Sequence, residues 1–203
     1  LEGDIKGCFD NISHEWLDQH IPIEKRILNQ WLKAGYVENT ILFSTGSGTP
    51  QGGIISPVLA NMALDGLEHL INERYKFRRV KNGRTYWQSK HNKATKVNLI
   101  RYADDFVITG ASRELLENEV KPMVCNFLSQ RGLTLSESKT RITNTEDGFD
   151  FLGFSIRKYG TKLLIKPSKK SVKGLLCRIR GLVKSGWGRG SNAEQLIRCI
   201  NPI

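Results

Sequence analysis

Val97-Asn98-Leu99-Ile100-Arg101-Tyr102-Ala103-Asp104-Asp105-Phe106-Val107-Ile108-Thr109 contains two apolar runs separated by almost nothing. Strands this close are joined by a hairpin turn, so the carboxylates of Asp104 and Asp105 project from its tip. Adjacent carboxylates repel, and charge placed beside a buried sheet is costly unless a cation compensates it. A divalent metal would supply that compensation. A turn that merely favours Asp is the other reading of this stretch taken alone.

Upstream, the chain opens on a short strand ending near Asp4 to Ile5, followed by a turn through Gly7. Asp4 therefore also ends an apolar strand and precedes a turn. It is the third carboxylate that a two-magnesium site needs, because magnesium takes oxygen ligands and keeps water and substrate phosphates in its shell. Two such ions would activate an attacking hydroxyl and stabilise a leaving phosphate in an in-line displacement. Asp10 lies beyond the turn beside Asn11 and Ser13 and reads as a helix-start residue.

Ser13 caps a helix beginning with Trp16 and Leu17. Residues 23–33 form a second helix with Ile23, Ile27, Leu28 and Trp31 on its inner face, ended by Gly35. A short strand at 38–43 and a flexible loop at 46–53 precede a long helix over 56–71, with Pro57 in its first turn and Leu59, Met62, Ala63, Leu67 and Leu70 inward. Residues 76–96 are polar and basic, an exposed loop or hairpin. A helix spans 114–131, with Leu115, Leu116, Val120, Val124, Phe127 and Leu128 buried and Gly132 as its stop. Strands follow at 133–143 and 149–157. Composition shifts near Ile165, and after Lys166-Pro167 a basic helix covers 169–184. The order is that of an α+β fold, helices on one face of an antiparallel sheet.

The net charge of +11 is unevenly distributed. Residues 73–101 hold ten bases and one acid, and residues 157–198 hold twelve bases and one acid, so two basic surfaces flank a body in which acids predominate. That polarity suits a phosphate backbone. A merely soluble basic surface is the alternative. No run of about 18 apolar residues exists to span a bilayer, so no membrane partner is expected. Four scattered cysteines without a C-x-x-C pair argue against zinc and disulfides and read as reduced thiols. The four histidines lack ligand spacing. A start at Leu1, straight into a dense motif, suggests a fragment of a longer chain.

Residues 1–17, 48–68, 101–108, 135–142 and 151–157 resemble, in order and spacing, the successive palm motifs of reverse transcriptases. Gly48-Thr49-Pro50-Gln51-Gly52-Gly53-Ile54-Ile55-Ser56-Pro57-Val58-Leu59-Ala60-Asn61 and Tyr102-Ala103-Asp104-Asp105 are similar to those of the group II intron reverse transcriptase/maturase family. The resemblance implies a polymerase palm over 1–165 and the start of a basic helical thumb, or maturase X-like region, over 166–203. It implies RNA-directed DNA polymerase activity with a maturase role in intron splicing and mobility, and two magnesium ions with manganese as substitute. RNA template, intron RNA, DNA primer or target and dNTP would be the partners, in a bacterial cytoplasmic ribonucleoprotein or, as the other setting, an organellar matrix.

Residue by residue, the resemblance assigns catalysis to Asp4, Asp104, Asp105 and Lys139, the last as proton donor to departing pyrophosphate. Metal ligation falls to Asp4, Ile5, Asp104 and Asp105. Phe9 matches the steric gate against a ribose 2′-hydroxyl, with core packing its alternative. Gln51 and Gly52 match nucleotide contacts. Tyr102, Phe151, Leu152 and Gly153, with Phe154, match primer and template contacts, joined by Lys169, Lys170 and Lys173 of the basic helix. The family's fingers motifs, which precede the position of Asp4, are not in these residues, so the fragment alone is expected to polymerise poorly. A retron, CRISPR-associated or other defence reverse transcriptase shares these motifs, and an RNA-binding splicing scaffold without polymerase activity is the reading of a different class. Phe9 and the loop over 48–61 argue against an RNA-dependent RNA polymerase.

Overall fold

A computed structural model describes residues 1–38, 41–43, 47–49, 53–82, 84–89, 95–184 and 192–200. The chain folds as two compact units, Leu1–Ile142 and Thr143–Ile203. The composition change near Ile165 therefore falls inside the second unit.

In the first unit, β1 (Glu2–Gly3), β6 (Asn98–Tyr102) and β7 (Asp105–Thr109) form an antiparallel sheet with β7 in the middle. Two further hairpins are β2 (Tyr36–Glu38) with β3 (Ile41–Phe43), and β4 (Lys76–Lys81) with β5 (Arg84–Ser89). The helices are α1 (Cys8–Asn11), α2 (His14–His20), α3 (Lys25–Lys33), α4 (Ser56–Leu64) and α5 (Leu67–Tyr75). After the sheet, α6 (Arg113–Leu115) runs through a π-helical turn, Leu116–Val120, into α7 (Lys121–Ser129). Phe106 and Ile108 of β7 are buried in one core with Ile12, Leu17, Leu59, Leu67, Val124 and Leu128. This is the mixed α+β architecture with an antiparallel sheet backed by helices.

Several elements depart from the pattern read in the sequence, each for a local reason. The helix expected over 56–71 is two helices, because Gly66 sits at φ +89° and turns the chain after an extended Asp65. The break re-phases the inner face, so Leu64 and Ile71 are buried while Met62 and Leu70 are only partly covered. In α3 the buried pair is Leu28 and Leu32, and Ile27 and Trp31 are about 40% exposed. Both pairs have i, i+4 spacing one residue apart, so periodicity alone cannot choose between them. The π turn before α7 precedes Pro122, which has no N–H to give and whose ring crowds the preceding carbonyls.

Residues 133–143 are not a strand. They make two single bridges, Ile5 to Leu135 and Glu2 to Arg141, around a turn in which the Thr140 N–H donates to the Ser136 carbonyl at 2.8 Å. Ser136 and Ser138 favour that turn over a ladder.

Arg131 fastens the helical layer. Its guanidinium lies over the rings of Phe127 and Trp16, at 3.4 and 4.6 Å, and donates to the carbonyls of Ala63 and Phe127. Arg131→Ala should lower stability by roughly 2–3 kcal/mol, the scale of charged hydrogen bonds lost from half-buried acceptors. Chemical denaturation checks this, and a change below about 0.5 kcal/mol would exclude the role.

In the second unit, β8 (Phe149–Phe151), β9 (Phe154–Tyr159) and β10 (Lys162–Pro167) form an antiparallel sheet, followed by α8 (Lys169–Lys184) and α9 (Ala193–Ile200). The single strand expected over 149–157 is thus a hairpin, bent at Leu152–Gly153 where both residues have positive φ. The helix expected over 169–184 has those bounds. Ser168, buried before it, caps it by accepting from the Ser171 N–H.

Candidate active site

Tyr102 pairs with Asp105, leaving Ala103 and Asp104 as a two-residue turn between β6 and β7. Ala103 adopts φ +54°, a conformation that costs a residue with a Cβ on the order of 1 kcal/mol. Arg101 holds the turn: its Nη1 donates to the Ala103 carbonyl at 2.9 Å and to Asn61 Oδ1 of α4 at 3.0 Å. The tip carrying Asp104 is therefore tied to the helix behind it. Nothing local in the sequence signals this contact between Arg101 and Asn61, forty residues apart.

Asp4 reaches the same place along β1. Gly3 is opposite Phe106, which brings Asp4 to the level of Asp105 on the neighbouring strand. Only glycine fits at position 3, because a Cβ there would lie 2.1 Å from the Phe106 ring. Asp105 is exposed to solvent, yet partial desolvation, and then the charges of Asp104 and Asp4, push its carboxyl above the ordinary carboxylate range, with Lys139 opposing them. The three carboxylates thus form one electrostatic cluster. The turn within 133–143 carries Lys139 to it, and the ammonium lies 3.3 Å from Asp4 Oδ2. Ile5 bridges to Leu135 just beyond.

Cys8 is buried beneath the cluster, its thiol pushed up to about 12 by desolvation first and the Asp104 charge second. Such a thiol stays protonated and is no nucleophile. Next to it, Phe9 of α1 is half-buried against the core. The segment carrying Phe9 also anchors the glycine-rich loop. The Gly48 N–H donates to the Ile12 carbonyl at 3.0 Å, the Thr49 N–H donates to the Phe9 carbonyl, and His14 Nε2 hydrogen-bonds the Gly48 carbonyl. Gln51 and Gly52 lie outside the described residues. Tyr102 is 67% exposed at the end of β6.

In the second unit, Gly153 of the Leu152–Gly153 turn accepts from the Ser168 N–H at 2.8 Å and the Ser171 hydroxyl at 3.0 Å. That brings the turn, with Phe151 and Phe154 at its base, against the start of α8, where Lys169, Lys170 and Lys173 lie.

Among the described residues, no three His, Cys, Asp or Glu side chains converge tightly enough to enclose a cation by themselves. Asp4, Asp104 and Asp105 nevertheless offer hard oxygen donors whose mutual repulsion a cation would relieve. Their set fits the open kind of magnesium site, in which one or two carboxylates are completed by water and substrate phosphates.

The family profile described as reverse transcriptase (RNA-dependent DNA polymerase) matches residues 1–156, and the chain belongs to that family. It is 31% identical to the group II intron-encoded protein LtrA of Lactococcus lactis subsp. cremoris, over 86% of this chain and 38% of that protein. Protein YkfC of Escherichia coli K12 is also 31% identical, over 89% of this chain and 55% of YkfC. An uncharacterized 91 kDa protein in the cob intron of Schizosaccharomyces pombe is 30% identical over all of this chain and 33% of its own length. The chain thus spans about a quarter to a half of the length of the relatives it matches. Telomerase from Candida albicans, solved with a fragment of telomeric RNA, superposes with a TM-score of 0.56 over 99% of this chain and 37% of that one, at 15% identity, a likeness of fold. Among the described residues no helix is long and apolar enough to cross a membrane.

Proposed function

We propose that this chain is the palm, with the start of the thumb, of a group II intron-encoded reverse transcriptase that copies RNA into DNA and also serves intron splicing and mobility. One observation carries the reading: the register of β1, β7 and β6 sets Asp4, Asp104 and Asp105 at one end of the sheet, where desolvation first and then the charges of Asp104 and Asp4 raise the Asp105 carboxyl.

Asp4, Asp104 and Asp105, with the Ile5 carbonyl beside them, would hold two magnesium ions, which supply Lewis-acid stabilisation of the attacking and leaving oxygens. The chain's own residues do the rest. Arg101 fixes the turn so that Asp104 faces the cluster. Lys139 neutralises Asp4 and is placed to give its proton to departing pyrophosphate. Phe9 presents a ring that crowds a ribose 2′-hydroxyl, and Gln51 and Gly52, by the family resemblance, would contact the nucleotide. Tyr102 and the hairpin turn at Leu152–Gly153 support primer and template, and Lys169, Lys170 and Lys173 pair with phosphates.

The test is primer extension by the full-length protein on an RNA template. DNA synthesis from dNTPs, dependent on magnesium and strongly preferred over rNTP incorporation, is expected. Extension equally good with rNTPs would contradict the assignment of Phe9, and no extension at all would favour a splicing scaffold.

A further inference from the structure

The β4–β5 hairpin takes no part in the site above, yet it carries an ordered set of side chains. Its register pairs Phe77 with Gln88, Arg79 with Tyr86 and Lys81 with Arg84. Alternation along each strand puts these six residues on one face. The opposite face is used at its root, where Trp87 meets His69 of α5 edge-on at 5.6 Å and Arg78 lies over the Trp87 ring. The face with Phe77 and Tyr86 therefore points outward, and both rings are about 40% exposed.

That face has three cations and no acid. Arg79 Nη1 donates to Gln88 Oε1 at 2.9 Å, which draws its guanidinium diagonally across the ribbon between Phe77 and Tyr86. Phe77 and Tyr86 are diagonal neighbours, a separation of roughly 7–8 Å between backbones. Two rings so spaced on a flat ribbon, edged by Arg and Lys, match what unpaired nucleic acid needs: aromatic faces for successive bases and cations for the phosphates between them. A protein partner would be served by the rings but not by three uncompensated cations, and a duplex would use the cations but hide its bases from the rings.

We propose that the outward face of β4–β5 is a docking platform for unpaired RNA, in which Phe77 and Tyr86 stack adjacent bases while Arg79, Lys81 and Arg84 neutralise phosphates. The choice of RNA rests on the reverse transcriptase reading, since in that reaction the primer is paired and the unpaired strand is the RNA. None of the platform's residues is assigned to the carboxylate cluster, so binding can be measured without catalysis.

Binding of a fluorescent unstructured RNA oligonucleotide to the full-length protein, followed by anisotropy across a salt series, tests it. The same sequence as DNA and as an RNA duplex completes the comparison. Phe77→Ala with Tyr86→Ala should weaken unstructured RNA by about thirtyfold, two stacked bases at the low end of their usual worth, with little effect on the duplex. Phe77→Tyr with Tyr86→Phe should retain binding, and unchanged thermal midpoints show that each variant folds. Replacing Arg79, Lys81 and Arg84 with Gln should lower the salt slope by about 2. An effect under twofold from the double Ala variant would overturn the platform. So would an equal loss on duplex, whereas single-stranded DNA should lose affinity to a similar extent, because neither stacking nor phosphate pairing reads the 2′-hydroxyl. These outcomes stand whether or not the protein extends a primer, so failure of the platform is distinguishable from failure of the polymerase reading.

Discussion

Asp104→Ala in the full-length protein should abolish magnesium-dependent DNA synthesis, by roughly a thousandfold or more, the scale on which preorganised charge stabilisation is lost. It should largely spare RNA binding, because removing a negative charge takes nothing from phosphate contacts. It should also leave stability unchanged or raised. Asp105 has a carboxyl held above its ordinary range, first by partial desolvation and then by Asp104 and Asp4. A group raised in the fold stabilises it most at low pH, and that contribution disappears as pH rises through the folded value. Asp105 is exposed at the start of β7, so solvent screens this contribution and the loss of Asp104 should move stability little. Single-turnover extension, anisotropy with RNA and thermal unfolding together check the three parts. Retained dNTP incorporation would refute the metal assignment.

Gly48→Ala should be strongly damaging although it removes no carboxylate. Gly48 sits at φ +73°, and a Cβ there would lie 2.3 Å from the Phe9 carbonyl oxygen and 2.4 Å from the Asp10 carbonyl carbon. Those neighbours are backbone and cannot swing aside. The left-handed conformation alone costs an L residue about 1–2 kcal/mol, and the contact forces the loop off α1 as well. A loss of roughly 2 kcal/mol or more is expected, with kcat/KM for dNTP falling more than RNA affinity, since the displaced loop leads to Gln51. Gly174→Ala is the control. It lies inside α8 with open space where its Cβ would go, so it should stabilise by about 0.5–1 kcal/mol. Denaturant midpoints for the two variants would move in opposite directions. Equal stability of Gly48→Ala and the parent would remove the anchoring role of the loop.

The paired strands around Ala103–Asp104 and the α8 helix were legible because each rests on local pattern: a period-2 run with a tight turn, or a long basic helix behind Pro167. The placement of Asp4 could be anticipated as a strand end, but its register against β7 depends on Gly3 admitting the Phe106 ring, a fact about two residues a hundred positions apart. Non-local contacts also explain why Arg101 with Asn61, and His14 with Gly48, carried no signal. The strand misread over 133–143 had enough apolar residues at Leu133, Leu135 and Ile142. The serines between them chose a turn, and that turn is what delivers Lys139. In α3, two equivalent i, i+4 pairs left the inward face undecided until packing chose Leu28 and Leu32. The site roles themselves came from the family resemblance rather than from periodicity, and Gln51 and Gly52 fall outside the described residues.

A two-metal centre here requires that residues far apart in the chain hold metal together. Iron(II) in place of magnesium, with primed RNA template, dNTP, ascorbate and peroxide, generates radicals that cut the backbone next to the bound ion. The full-length protein should be cut at two places, beside Asp4 and beside Asp104–Asp105, with both cuts suppressed by excess magnesium and lost together in Asp104→Ala. Cleavage confined to one of these positions, or persisting unchanged in that variant, would contradict a shared metal centre.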